Sequence, residues 1–112
     1  MANKQSNSRV LGSGKVIFEA RGGSMGKLVL DNNVSEKVAG TFEFDDQRVG
    51  DIMASFKKSL EDQASEIFDS DGRLHSHLAI FLDGRLISER ETSNRHANAD
   101  SVLTIIKALS GG

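Results

Sequence analysis

A chain of 112 residues, 38% apolar and 27% charged, has the length of one domain and enough apolar material for a modest core. Its 14 Lys and Arg stand against 16 Asp and Glu, with no Trp or Tyr, so it carries no basic stripe interleaved with aromatics and nucleic-acid binding is excluded. It has no cysteine, hence no disulfide, thiolate metal site or thioester on its own side chains. No apolar run approaches the roughly 18 residues of a membrane span, so no membrane partner is expected, and the polar N-terminus lacks a signal-peptide core. A cytoplasmic protein is the expectation.

Residues 1–14 are rich in Ser, Asn and Gly and read as a disordered arm. Lys15 to Ala20 reads as a first strand, with Val16 and Phe18 on one face and Ile17 on the other. Arg21-Gly22-Gly23-Ser24 supplies a glycine turn. Lys27 to Leu30 is apolar but short, and either extends that hairpin or packs as an irregular segment. Asp31 to Gly40 is polar, with Asn32-Asn33 as a turn. Thr41-Phe42-Glu43-Phe44 alternates strictly and reads as the second strand.

Asp45 or Asp46 is placed to cap a following helix. From there, Val49, Ile52, Met53, Phe56 and Leu60 fall at helical spacing and predict a buried stripe, with Lys57, Lys58, Glu61 and Asp62 outward. Ile67 and Phe68 prolong the apolar pattern until Asp69-Ser70-Asp71-Gly72 breaks it. That tetrad lacks the other ligands of a calcium loop and reads as a turn. His75 and His77 share one side of an extended segment without a carboxylate or Cys in register, and read as surface residues rather than metal ligands, as does His96. No metal site is expected.

Leu78 to Leu82 is the strongest strand, Asp83-Gly84 the strongest hairpin turn, and Leu86-Ile87 the return. In that strand Leu78, Ile80 and Leu82 make the better core face, which leaves Phe81 beside Ala79 on the other. Phe81 is then either an exposed anchor for a partner or covered by residues 24–40. Ser88 to Ala99 is polar with few anchors, and Val102 to Ile106 is the closing strand.

The chain ends Ala108-Leu109-Ser110-Gly111-Gly112. Two glycines can thread a narrow slot because neither carries a Cβ, and five extended residues reach about 17 Å. A terminal carboxylate, with a pKa near 3.5, is ionised and a poor electrophile. It becomes reactive when a partner activates it, most simply as an acyl adenylate made from ATP. The tail therefore reads as a substrate, and the protein as no enzyme.

This order of elements, with one main helix and a last strand running into Gly-Gly, resembles the β-grasp fold of the ubiquitin-like sulfur carriers. That family includes the molybdopterin synthase small subunit, the thiamine sulfur carrier and the ubiquitin-related modifier. Asp100-Ser101-Val102 is similar to the family's entry into its last strand, and Leu78 to Gly84 to its apolar strand and turn. Arg48-Val49-Gly50-Asp51-Ile52 is similar to its helix opening, and Phe18 to Gly23 to the first hairpin of the ubiquitin-related modifier. Lys107 stands where molybdopterin-type members usually carry Pro, and against the family's pattern residues 24–40 are an insertion between the first two strands.

The resemblance implies an α+β class: a mixed sheet packed on one main helix over residues 15–107, with residues 108–112 as a flexible tail. It implies that the Gly112 carboxylate is adenylated and converted to a thiocarboxylate, with Gly111 as the permissive residue beside it. Leu109 and Phe81 are the residues expected to meet the partner. No cofactor would be bound, since ATP is used by the activating partner. The implied partners are a ubiquitin-activating-type adenylating enzyme, a persulfide sulfurtransferase, and a sulfur acceptor enzyme. The same terminus also suits a protein modifier joined to target lysines. A third reading is a β-grasp interaction module whose glycines are incidental.

Overall fold

The computed structural model describes residues 7–12, 14–20 and 25–108. Its strands are β1 (Asn7–Val10), β2 (Val16–Glu19), β3 (Gly26–Leu30), β4 (Val38–Phe44), β5 (Gln47–Arg48), β6 (Leu78–Leu82), β7 (Arg85–Ile87), β8 (His96–Ala97) and β9 (Val102–Lys107). Helix α1 spans Val49–Leu60 and runs into a 3-10 segment, Glu61–Glu66, while α2 is a single turn, Glu89–Thr92.

Seven strands form one mixed sheet in the order β1-β2-β4-β3-β9-β6-β7, and β5 pairs with β8 in a separate ribbon. β3 and β4 form an antiparallel pair, with Leu28 opposite Phe42. β3 also runs parallel to β9, with Leu28 opposite Leu103 and Leu30 opposite Ile105. β9 in turn pairs antiparallel with β6, where Ile80 faces Ile105. Because side chains alternate along each strand, these registers line up one apolar face: Val16, Phe18, Val38, Phe42, Phe44, Leu28, Leu103, Ile105, Leu78, Ile80 and Ile87 are all buried.

Helix α1 covers that face. Val49, Ile52, Met53, Phe56 and Leu60 are its buried residues, the stripe that the 3.6-residue spacing predicts. Phe56 lies at the centre of an aromatic cluster, its ring centroid 5.6 Å from Phe18, 5.4 Å from Phe42 and 6.2 Å from Phe68. The β6–β7 turn has Asp83 at φ 51° and Gly84 at φ 85°, a conformation that Asp-Gly adopts readily.

Four expectations are corrected. Residues 24–40 are no insertion: Gly26–Leu30 is a strand inside the sheet and Val38 opens β4, so β3–β4 takes the place expected of residues 15–23 as the first hairpin of the grasp. β2 instead joins the far side of β4, running parallel to it through Val16 opposite Val38 and Phe18 opposite Gly40. Within the stretch 1–14 expected to be disordered, Asn7–Val10 form β1, antiparallel to β2, and Arg9 pairs with Glu19. Neither Asp45 nor Asp46 caps α1. Arg48 precedes the helix without a side-chain cap, and the first helical N–H, of Val49, donates to the Arg95 carbonyl at 2.9 Å. The β5–β8 pairing brings that carbonyl to the helix start, and Asp46 turns to His96 instead.

Candidate functional site: the root of the tail and the adjoining sheet face

β9 is held on both sides, by β3 and by β6, and its last paired residue is Lys107, opposite Leu78. One residue further on, the Ala108 N–H donates to the His77 carbonyl at 2.8 Å. The main chain is thereby fixed up to Ala108, which sets the root of the tail. Leu109, Gly111 and Gly112 lie outside the described residues.

The two histidines read as surface residues stand at this root. Their rings stack with centroids 5.5 Å apart and planes 21° from parallel. The His75 Nε2 donates to the Ser65 carbonyl at 2.7 Å, which orients its ring. Among the described residues no group of three His, Cys, Asp or Glu is placed to hold a metal ion. The Asp69–Gly72 stretch is a turn: the Asp69 carboxylate accepts from the backbone N–H groups of Asp71 (2.9 Å) and Arg73 (3.1 Å). Those bonds, that of Arg73 foremost, hold the Asp69 carboxyl below its usual range. Glu91 is held low by the Ser88 backbone N–H and then by Arg95, as part of the capping box that starts α2.

The sheet face turned away from α1 is reached by the other half of each alternation. On it lie Ala79 and Phe81 of β6, Leu86 of β7, and Val102, Thr104 and Ile106 of β9. Phe81 is partly buried, with Leu86 opposite it on one side and Thr104 on the other. Leu86 is 64% exposed and Val102 40% exposed, so the apolar area around Phe81 opens to solvent. Neither Leu86 nor Val102 is marked by sequence pattern, since both belong to strands whose other face makes the core. Lys27 and Glu43 sit opposite one another further along this face, Glu43 fully buried. On the helix side, a cleft of about 970 Å³ runs between α1, the 69–73 turn, β6, β7 and α2, and the Arg73–Glu89 ion pair, 3.1 Å, joins two of its walls.

No family model matches the chain, and no curated protein sequence does. Solved structures do. The chain is similar to the crystal structure of SAMP1 from Haloferax volcanii, at 22% identity and a TM-score of 0.61, over 79% of this chain and 99% of that one. It is similar again to the crystal structure of H. volcanii small archaeal modifier protein 1, at 19% identity and a TM-score of 0.58, over 78% and 100% of the two chains. A solution structure of the Haloferax volcanii HVO 2177 protein gives 17% identity and a TM-score of 0.51, over 79% and 86%.

This is the ubiquitin-like β-grasp fold.

In β-grasp terms, the hairpin β3–β4, helix α1, the pair β6–β7 and the closing strand β9 make the common unit. The first two structures are covered almost whole, while about a fifth of this chain is left over. The N-terminal hairpin β1–β2 stands outside these elements, seated on the outer side of β4.

Proposed function

We propose that this chain is a ubiquitin-like carrier whose C-terminal glycines are activated by a partner. The observation that carries the reading is the course of β9. The strand is held by β3 as far as Ile105 and by β6 as far as Lys107, and is tied at Ala108, so Leu109-Ser110-Gly111-Gly112 starts from a fixed point on the sheet. A short segment on a rigid root is what a partner's active site needs in order to receive a carboxylate at a set distance from the docked body.

The chemistry proceeds in three steps. The Gly112 carboxylate attacks the α-phosphorus of ATP on the activating enzyme; pyrophosphate leaves and an acyl adenylate forms. The terminal sulfur of a donor persulfide attacks the acyl carbon, and AMP leaves, giving an acyl disulfide. A thiol then attacks the donor's sulfur, releasing the thiocarboxylate of Gly112 and leaving a disulfide on the donor side. All acid–base work belongs to the partners, in keeping with a chain that has no Cys.

The likeness to H. volcanii small archaeal modifier protein 1 favours a second outcome for the same adenylate: attack by a lysine amine to give an isopeptide bond. The intact mass of the protein, purified from its own host under sulfur demand, separates the two. A mass raised by one oxygen-to-sulfur exchange supports the carrier, and a covalent adduct with a second protein supports the modifier. A terminus found only as the free carboxylate, with function kept after removal of Gly111 and Gly112, refutes both and leaves an interaction module. Gly111→Val is expected to block activation through its added bulk beside the reacting carbon while leaving the thermal midpoint unchanged.

A further inference from the structure

β4 has two unlike neighbours. Its later residues, 41–44, pair antiparallel with β3, whereas its first three, 38–40, pair in parallel with β2. Without β2, Val38 to Gly40 would be a free edge beside a slot walled by Phe42 on the sheet and Phe56 on the helix. Phe18 fills this slot: it is 3% exposed, with its ring centroid 5.3 Å from Phe42 and 5.6 Å from Phe56. Val16 is buried two residues earlier on the same face.

The geometry points to this slot as a strand-binding site, filled in the resting molecule by β2 and open to an extended segment of a partner protein with the same Val-x-Phe spacing. The cis occupant defines the ligand: a main chain parallel to β4, an aromatic anchor, and a β-branched residue two positions before it. The site is shaped for a passing main chain. Gly40 sits at φ +98°, and a Cβ there would lie 1.9 Å from the Phe18 carbonyl oxygen, so only glycine lets the strand approach.

Apart from the burial of Val16 and Phe18, the occupant has few main-chain ties. Among the described residues β1 pairs with β2 alone, and its Ser8, Arg9 and Val10 are exposed. The β2–β4 ladder has three residue pairs, against five between β6 and β9, and parallel pairs hold slightly less per residue. Beyond that ladder, the Val16 N–H donates to Lys37 O at 2.7 Å, and Gln63 Nε2 donates to Gly14 O at 2.9 Å. A partner strand that supplies its own aromatic would replace these contacts one for one. The exchange makes no use of the C-terminal glycines, so it stands or falls apart from the carrier reading.

The probe is a labelled, end-capped peptide of residues 14–19, Gly-Lys-Val-Ile-Phe-Glu, added to the full-length protein. Phe18→Ala empties the slot and is expected to bind this peptide at least about tenfold more tightly than the unsubstituted protein does. Amide shifts should centre on Val38 to Gly40, and the same peptide with Ser in place of Phe should lose that gain. Where Phe18→Ala does not fold, Phe18→Leu replaces it, with a smaller gain at the same residues. Folded variants that bind no better than the parent, or shifts that map to β7 or to the face around Phe81, overturn the proposal. A second measurement needs no variant. The amides of Ile17 and Phe18 in the unsubstituted protein should exchange at least about tenfold faster than those of Leu28 and Leu103. Equal protection, meaning that the hairpin leaves only with global unfolding, also overturns it.

Discussion

Phe56→Ala probes the packing where helix and sheet meet. The Phe56 ring is fully buried and touches three other rings, Phe18 from β2, Phe42 from β4 and Phe68 from the segment after the helix. Cutting a buried Phe to Ala costs about 3–5 kcal/mol, and each lost aromatic pair is worth about 0.5–1.5 kcal/mol beyond its area. The three partners sit on separate elements, two of them anchored in the sheet, so they cannot all close on the void. The upper part of the range is therefore expected, about 4–5 kcal/mol. A domain of this length has about 6–17 kcal/mol in total, so the variant should fold but melt about 15–30 °C lower. With no Trp or Tyr, the assay is urea and thermal unfolding followed by far-ultraviolet circular dichroism. A loss below about 2 kcal/mol with an unchanged spectrum would refute the reasoning, because it would mean the site collapses freely or Phe56 is not central.

Gly40→Ala meets both a positive φ and the Phe18 carbonyl 1.9 Å away, so it should cost about 2 kcal/mol or more; a midpoint in urea within error of the parent would contradict that. Asp69 contributes stability above its unfolded pKa, about 3.9 for an ordinary Asp, and loses it as pH falls through its lower folded value; Asp69→Asn should flatten that acid limb of the unfolding curve, and an unchanged pH profile would rule the turn bonds out as its cause. Phe81→Glu, on the face away from α1, should cost about 1 kcal/mol of stability and weaken capture by the activating partner; equal affinity of the two proteins for that enzyme would remove Phe81 from the docking surface.

What was legible in the sequence was whatever carries its own period. The α1 stripe, the β6 alternation with its Asp-Gly turn, and the apolar run of β9 each announce themselves locally, and each lies where expected. β3 did not, because in five residues only Leu28 and Leu30 mark the core side, and its strand character comes from β4 and β9 on its flanks. β1 has no apolar face, being an edge strand held by backbone pairing with β2. β5 and β8 are two residues each, below any period, yet their pairing displaces the expected Asp cap by presenting the Arg95 carbonyl to α1. The same limit applies to the site. His77 anchors the tail root through its backbone oxygen, a role that leaves no mark on residue type.

The proposed function also constrains where a partner must sit. Fixing the four residues after Ala108 in a partner's slot costs about 4–8 kcal/mol in backbone entropy, and two glycines offer almost no side-chain contact in return. Affinity must therefore come from the body. The sheet face around Phe81 meets that need geometrically, because β9 joins it to the tail. Val102, Thr104 and Ile106 lie on that face, and Ile106 is two residues from Ala108, where the tail begins. A surface grasped there holds the root at a fixed distance from whatever receives Gly112, so docking and positioning become one event. The two steps then separate by mutation. Phe81→Glu should raise the concentration of partner needed and leave the rate at saturation near the parent's, whereas Gly111→Val should leave capture intact and abolish adenylation. If Phe81→Glu instead lowers the saturating rate with affinity unchanged, the face acts on the chemistry and not on docking, and the division of labour between body and tail argued here is wrong.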